Sequence, residues 1–261
     1  MFEGKALKGK LQAGEICLGT WINFTDPTVA ELLTESGFDF FIIDSEHSAL
    51  GIESVQLNIM ATKGTPVTPI VRVAWNDPVL IKRVLDAGAG GVLVPLVRTV
   101  EDARAAVAAC MYPPVGIRGF GPRRPASYER RFAEYIPRAN ENIVVWLQIE
   151  HADAVDNIEE IVAVDGIGGI ILGPCDLSAS MGMLGQTGHP DVLAAADKVI
   201  AAARKAGVPM GMAGGPNPKE AVEWIEKGAQ FFALGADQSY LVYASQRAVN
   251  GVRKLLEERR N

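Results

Sequence analysis

The sequence has 261 residues, 48% hydrophobic and 21% charged, which excludes a disordered chain because the apolar content is enough for a folded core. Lys and Arg number 25 against 31 Asp and Glu, so the net charge of −6 argues against a nucleic-acid partner. The chain lacks both the ~18-residue apolar run of a membrane span and an N-terminal signal peptide, so no membrane partner is expected.

Eight short apolar runs bounded by turn residues are predicted to be strands. In chain order they are EICLGTWI near Ile16, FDFFIID near Phe41, TPIVRVA near Val71, GGVLVPL near Val94, IVVWLQIE near Trp146, GIGGIILG near Ile170, VPMGMAGG near Met210 and AQFFALGA near Phe232. The runs are continuously apolar rather than alternating, which is typical of parallel strands covered on both faces.

Amphipathic stretches with helix-start and helix-stop residues separate these strands. The first has Thr25 or Asp26 as its N-cap, Pro27 in its first turn and Gly37 beyond its end. The same plan recurs from Asp77 to Gly88, from Thr99 onward, from His189 to Gly207 and from Asn217 to Gly228. Most of the 27 glycines are therefore interpreted as residues that end helices or flank strands.

This alternation predicts a single (β/α)8 TIM barrel over residues 1–261, with a doubly wound open sheet as the alternative. No GxGxxG follows the first strand and no GxxxxGK[ST] occurs, so nucleotide binding is disfavoured. A long interruption around 112–142 is too rich in Pro and Gly for one helix and is interpreted as a functional loop.

Active residues of such barrels gather where strands end. Strand two ends in DSEH, where Asp44 and Glu46 could orient His47 as a base, although a solvated loop is the alternative. Arg72 lies in an apolar strand and needs an anion, either a ligand or a structural partner such as Asp86.

Strands five and six end in a second group of polar residues. Glu150 and Asp176 are hard oxygen donors that suit Mg²⁺ or Mn²⁺, but they could also form a glycosidase-type carboxylate pair or cap the strand ends. Backbone N–H groups near Cys175 could hold a carboxylate, and Cys175 itself is interpreted as a pocket wall. With Cys17 and Cys110 it makes three widely separated cysteines, which favours a reducing cytoplasm.

Six motifs then occur in order across nearly the whole chain: DSEH, PIVRV, YPPVGIRG, LQIE, GPCDLSASMG and HPDV. Together they resemble the HpcH/HpaI family of metal-dependent pyruvate aldolases. The resemblance implies a barrel of the pyruvate/phosphoenolpyruvate superfamily that cleaves and forms 4-hydroxy-2-oxo acids, with pyruvate or hydroxypyruvate as donor and an aldehyde as partner. It also implies a divalent cation (Mg²⁺, Mn²⁺ or Co²⁺) and a homo-oligomer, commonly a hexamer.

The resemblance assigns roles to individual positions. The metal ligands fall on Glu150 and Asp176, and the catalytic residues on His47 as base, Arg72 as enolate-stabilising cation and Asp44 as the acid that orients the histidine. The implied substrate-binding residues are Arg72, Gln148, Gly173, Pro174, Cys175 and Asp176.

Two departures from the family pattern bear on the aldehyde. SALG follows DSEH, and FGPRRPASYERR follows GIRG, so both segments are expected near the aldehyde entrance. Two other functions stay open: a CoA-ester lyase of the malyl- or citramalyl-CoA type, and a non-catalytic organic-acid sensor or scaffold. A Schiff-base aldolase is disfavoured because none of the eight predicted strands ends in Lys.

Overall fold

Eight parallel strands form a closed barrel. The computed structural model describes residues 3–259, and there the strands pair in chain order until β8 meets β1. The bounds are β1 Cys17–Ile22, β2 Phe40–Asp44, β3 Thr68–Arg72, β4 Gly91–Val94, β5 Val144–Ile149, β6 Gly169–Leu172, β7 Met210–Gly214 and β8 Phe231–Ala236. All eight predicted strands and the barrel are confirmed, and the open sheet is excluded because the sheet closes.

Helices connect the strands and surround the barrel. They are α1 Glu3–Gln12, α2 Pro27–Thr34, α3 Ile52–Ala61, α4 Pro78–Asp86, α5 Val100–Cys110, α6 Phe132–Tyr135, α7 Ala152–Asp156, α8 Ile158–Val162, α9 Pro174–Ser180, α10 Pro190–Ala206, α11 Pro218–Lys227 and α12 Asp237–Glu258. Two 3₁₀ turns, Ile136–Arg138 and Asn140–Asn142, precede β5. None of the helices within residues 3–259 has the length and apolar character to cross a membrane.

The predicted helix signals act at the helix ends. The carboxylate of Asp26 accepts the N–H of Thr28 at the start of α2. The hydroxyl of Thr99 accepts the N–H of Asp102 in a capping box before α5. Gly207 ends α10 with φ +69°, a left-handed conformation that glycine adopts without a steric cost.

The barrel interior is filled by alternate strand residues. Phe40, Trp146 and Phe231 are buried there, and the rings of Trp146 and Phe231 stack at a centroid distance of 4.1 Å. Gly19 and Gly211 make room for this packing, since a Cβ at either position would overlap the ring of Phe40 or Phe231. These two glycines serve close packing within the strands, a role that local turn signals do not reveal.

Helix α1 closes the amino-terminal end of the barrel. Leu7 and Leu11 are buried against the interior cluster. This helix was not among the predicted elements, because the segment MFEGKALKGKLQAGE is polar. Burial of two leucines at a 4-residue spacing is what holds it against the strand ends.

The segment 111–143, between α5 and β5, lies at the amino-terminal end of the barrel. Arg118 donates from Nη2 to Asp86 Oδ1 at 2.7 Å, near the end of α4, and Arg124 lies over Gly88, before β4. A helix-to-strand connection must reach the start of the next strand, so it runs along the end opposite the active residues. The prediction that FGPRRPASYERR adjoins the aldehyde entrance is therefore wrong within this chain.

Candidate active site

The predicted site residues follow the inward-facing positions of their strands. Side chains alternate along a strand, so Asp44 shares a face with buried Ile42, and Arg72 shares a face with buried Ile70. Asp44 and Arg72 are also register partners across β2 and β3. Both side chains therefore meet at the carboxyl mouth of the barrel.

Arg72 is held from three directions. Its Nε donates to Asp44 Oδ1 at 2.9 Å and its Nη2 to Asp44 Oδ2 at 2.6 Å, a bidentate pair. Its Nη1 lies 3.3 Å from Glu46 Oε2, and its guanidinium carbon lies 4.4 Å from the ring centroid of Trp21. The suggested partner Asp86 is wrong, because that carboxylate pairs with Arg118 instead.

The carboxylate of Asp44 accepts hydrogen bonds from Arg72 and from two backbone N–H groups. Its Oδ1 accepts the backbone N–H groups of Glu46 and His47 at 3.0 and 3.3 Å. Burial alone would raise the pKa of Asp44, but the Arg72 hydrogen bonds and charge, with the two amides, outweigh it and hold the pKa below 3.8.

Asp44 thus holds Arg72 and the turn after β2. The expectation that Asp44 orients the His47 ring is not met, since Asp44 contacts only the backbone of His47. The carboxylate beside the ring is Glu46, whose Oε2 lies 3.8 Å from His47 Nε2.

Glu46 and His47 differ sharply in their access to solvent. The side chain of His47 is 64% exposed at the mouth, whereas that of Glu46 is 12% exposed. Burial raises the pKa of Glu46; Arg72 and His47 oppose this, and the negative charges of Asp44 and Asp176 reinforce it. An exposed imidazole ring therefore faces solvent, with a largely buried carboxylate behind it.

Glu150 is oriented by two hydrogen bonds. Its Oε1 accepts the backbone N–H of Leu96 at 2.8 Å, and its Oε2 accepts Nε2 of Gln148. Burial raises the pKa of Glu150; the Leu96 amide opposes this, and Glu46 and Asp176 reinforce it. Carboxylates on three different strand ends therefore repel one another across the mouth, and the positive charge of Arg72 partly offsets this repulsion at Glu150.

Gly173 leaves the space that Glu150 occupies. A Cβ at Gly173 would lie 2.8 Å from Glu150 Oε2 and 3.1 Å from Gln148 Nε2. Gly173 is also the N-cap of α9, so Pro174, Cys175 and Asp176 form the first turn of that helix, and the last two are solvent-exposed. The structure thus brings the predicted residues of β5 and β6 to one place.

The donor set at the mouth fits a divalent cation. Within residues 3–259, no group of three or more His, Cys, Asp and Glu side chains is arranged around a common ion position. One or two carboxylates, completed by water and substrate, are however a usual Mg²⁺ environment. The mutual repulsion of Glu46, Glu150 and Asp176 is what such a cation would relieve, and buried Gln148 Oε1 lacks a hydrogen-bond partner in the described chain.

Two residues of the site were not predicted. Trp21, on the inward face at the end of β1, packs on Arg72, and strand alternation from Cys17 could have located it. Leu96 presents its N–H to Glu150 with φ +53°, an uncommon conformation for a non-glycine residue. No sequence signal marks that position, because the conformation is imposed by the surrounding structure.

The sequence model of the HpcH/HpaI aldolase/citrate lyase family matches residues 18–244. The chain belongs to this family. It is accordingly a carbon–carbon lyase.

Relatives of this lyase cover nearly its whole length. A 4-hydroxy-2-oxo-heptane-1,7-dioate aldolase of Salmonella dublin is 41% identical over 242 residues, 92% of each chain. The structure of a family member from Burkholderia cenocepacia J2315 superposes with a TM-score of 0.92 at 35% identity, over 95% of this lyase and 99% of that chain. A citrate synthase structure superposes with a TM-score of 0.86 at 29% identity, over 96% of this lyase and 98% of that chain.

Replacing Gly173 with Ala is expected to cut turnover at least about tenfold, because a Cβ there displaces the Glu150 carboxylate and Gln148 by several tenths of an ångström. Steady-state kinetics, with thermal denaturation to establish folding, would measure this. Gly188→Ala is the matched control, since nothing lies within 4 Å of a Cβ at that position. Equal kinetics in both variants would contradict the role given to Gly173.

Proposed function

We propose that this lyase is a divalent-metal-dependent aldolase that interconverts 4-hydroxy-2-oxo acids with pyruvate, or hydroxypyruvate, and an aldehyde. The observation that carries the proposal is the clamped cation Arg72 at the mouth, beside acids on β5 and α9 that suit a divalent cation. The 41% identical aldolase supports the same class of substrate.

Glu150 and Asp176 are the residues that would hold Mg²⁺, Mn²⁺ or Co²⁺. When bound, such a cation acts as a Lewis acid for the 2-oxo acid and offsets negative charge in the transition state. Gln148 keeps Glu150 oriented through its amide N–H, and Gly173 admits the carboxylate. Gln148 and Gly173 thus position a metal-ligating carboxylate. This role is additional to the substrate contacts that the family resemblance implies for them.

Arg72 supplies a preorganised positive charge. Its Nε and one N–H of Nη2 are used by Asp44, which leaves other guanidinium N–H groups for a substrate oxygen. Breaking the C3–C4 bond leaves its electron pair on the pyruvate fragment, where negative charge develops on the oxo oxygen. A rigid cation there needs no reorganisation during the reaction and lowers the barrier.

His47 is the proposed base for the C4 hydroxyl group. During cleavage it accepts the hydroxyl proton as the carbonyl of the aldehyde forms, and during condensation it returns that proton. Glu46, at 3.8 Å, stabilises the imidazolium produced. The exposed ring of His47 can reach a substrate that enters from solvent through the mouth.

A pyruvate-release assay across 4-hydroxy-2-oxo acids, with Mg²⁺, Mn²⁺ and Co²⁺ in parallel, tests this proposal. We expect release that depends on the metal and stops with EDTA. Cleavage of malyl- or citramalyl-CoA without cleavage of hydroxy-oxo acids would establish the CoA-ester lyase instead. A thermal shift with pyruvate or oxalate, without any turnover, would establish a sensor or scaffold.

We also propose that the chain forms a homo-oligomer in a reducing cytoplasm, with a hexamer as the state implied by the family resemblance. Helix α12 is attached by its first turn, and residues 241–259 are all exposed. An apolar stripe, the α12 stripe, runs along it and consists of Leu241, Val242, Val249, Val252, Leu255 and Leu256. A second copy would bury it. All three cysteines are free thiols, as expected in that compartment.

Replacing Val249, Val252 and Leu256 together with Ser is expected to reduce the oligomer to smaller species. Each buried side chain of this kind contributes about 1.5–3 kcal/mol to association. Light scattering coupled to size-exclusion chromatography measures the mass. The control changes Asn250, Lys254 and Glu257 to Ser on the polar side of α12, and an unchanged mass in both variants would contradict the interface.

A further inference from the structure

A cavity of about 710 Å³ opens at the amino-terminal end of the barrel. It is bounded by the starts of α1 and β5, by the turns before β3 and β4, and by residues 124–139 of the segment before β5. Strands of four to six residues separate it from the active mouth, a distance of about 13–20 Å. It is therefore no part of the mouth within one chain.

The charged residues that line this cavity are all basic. They are Lys63, Arg124 and Arg130, and no Asp or Glu of the described chain is among the lining residues. None of the three cations has an ion-pair partner among the side chains of residues 4–259. The adjoining stretch 116–138 holds six Arg against two Glu, although the whole chain carries −6. The positive charge is thus concentrated at one place on an acidic protein.

The backbone shapes the cavity wall around these cations. Gly88 has no Cβ, so Nη1 of Arg124 comes within 2.6 Å of where a Cβ would stand. Ser127 and Tyr128 line the cavity in left-handed conformations, with φ of +51° and +55°, which persist only where the surroundings enforce them. The wall therefore adds hydroxyl groups beside the guanidinium groups.

We propose that this cavity binds a small, multiply charged anion bearing phosphoryl or carboxylate groups. Arginine matches both groups because its planar N–H fork bonds two oxygens at once. The volume falls within the ~300–1,000 Å³ of small-molecule sites. The cavity lies outside the mouth of the same chain, and the proposal does not rest on the function proposed above.

The test measures binding of inorganic phosphate and of tricarballylate to the metal-loaded protein by calorimetry. At least one anion is expected to bind, and Arg124→Gln with Arg130→Gln is expected to weaken it at least about tenfold. Glu150→Gln is expected to leave the affinity unchanged. Binding of phosphate alone would identify a phosphoryl ligand, and binding of tricarballylate alone a polycarboxylate; either supports the site.

The matched control is Arg131→Gln with Arg138→Gln, which removes the same charge from exposed positions of the same segment outside the cavity. If the control variant weakens anion binding equally, the binding reflects the overall positive charge of the segment and the proposal is overturned. Loss of binding only in Glu150→Gln would assign the anion to the active mouth. The proposal would also be overturned if neither anion binds. The same holds if a labelled single-stranded oligonucleotide binds while neither anion does.

Discussion

Replacing Glu150 with Gln, or Asp176 with Asn, is expected to abolish turnover while the barrel stays folded. A Lewis-acid contribution of several kcal/mol corresponds to about 10²–10⁴-fold in rate, and neutral amides bind a divalent cation far less well than carboxylates. Burial and two neighbouring carboxylates already disfavour the charge on Glu150, so its removal relieves repulsion in the metal-free protein. The metal-free melting temperature should therefore not fall.

Exchange of pyruvate methyl protons with D₂O isolates the step that both acids serve. We expect exchange in the metal-loaded protein, and loss of exchange in either variant and after EDTA treatment. Glu160→Gln changes an exposed acid of α8 in the same way and should exchange normally. Exchange that EDTA leaves unaffected would contradict the metal role altogether.

Replacing Asp44 with Asn is expected to lower both stability and turnover. The variant leaves Arg72 buried without its bidentate partner, and breaking one side of a buried ion pair costs about 3–5 kcal/mol. Turnover should fall because the guanidinium loses the contact that directs it toward the mouth. Urea denaturation and kinetics measure the two effects, and Asp156→Asn, in an exposed pair with Lys198, should cost less than about 1 kcal/mol.

The stability contributed by Asp44 should depend on pH in a defined direction. Its pKa in the folded protein is below 3.8, the ordinary value, so the unfolded chain takes up its proton first as the solution is acidified. The difference between wild type and Asp44→Asn should be full above pH 3.8 and shrink as the pH falls through the folded pKa. A difference that stays constant or grows in acid would contradict the assigned ion pair.

Much of the site was readable from the sequence because strand ends are predictable. DSEH, LQIE and GPCD each follow a continuous apolar run, so the prediction that Asp44, Glu150 and Asp176 stand at strand ends required only local patterns. Helix caps such as Asp26 were equally local, since the capping side chain bonds an amide two residues away. These features depend on residues close in the sequence, so they can be predicted without knowledge of the fold.

Contacts between residues on different strands were harder to predict from the sequence. The sequence suggested Asp86 as a structural anion for Arg72, whereas the register of β2 against β3 makes Asp44 its partner. The segment 112–142 was correctly placed between β4 and β5 but was assigned to the wrong end of the barrel, because its position follows from where α5 ends and β5 begins. Two of its arginines, Arg124 and Arg130, thereby line a cavity away from the mouth of the same chain.

The sequence by itself determined the eight strands, their order and the polar residues at their carboxyl ends, because apolar runs and caps are local signals. Only the tertiary structure decided that Glu46, rather than Asp44, stands beside the His47 ring, and that Leu96 bonds Glu150. The Leu96–Glu150 contact joins residues that follow different strands, and the Glu46–His47 contact depends on how Asp44 and Arg72 hold the turn after β2. Their geometry follows from closure of the barrel, which sets register and backbone conformation together.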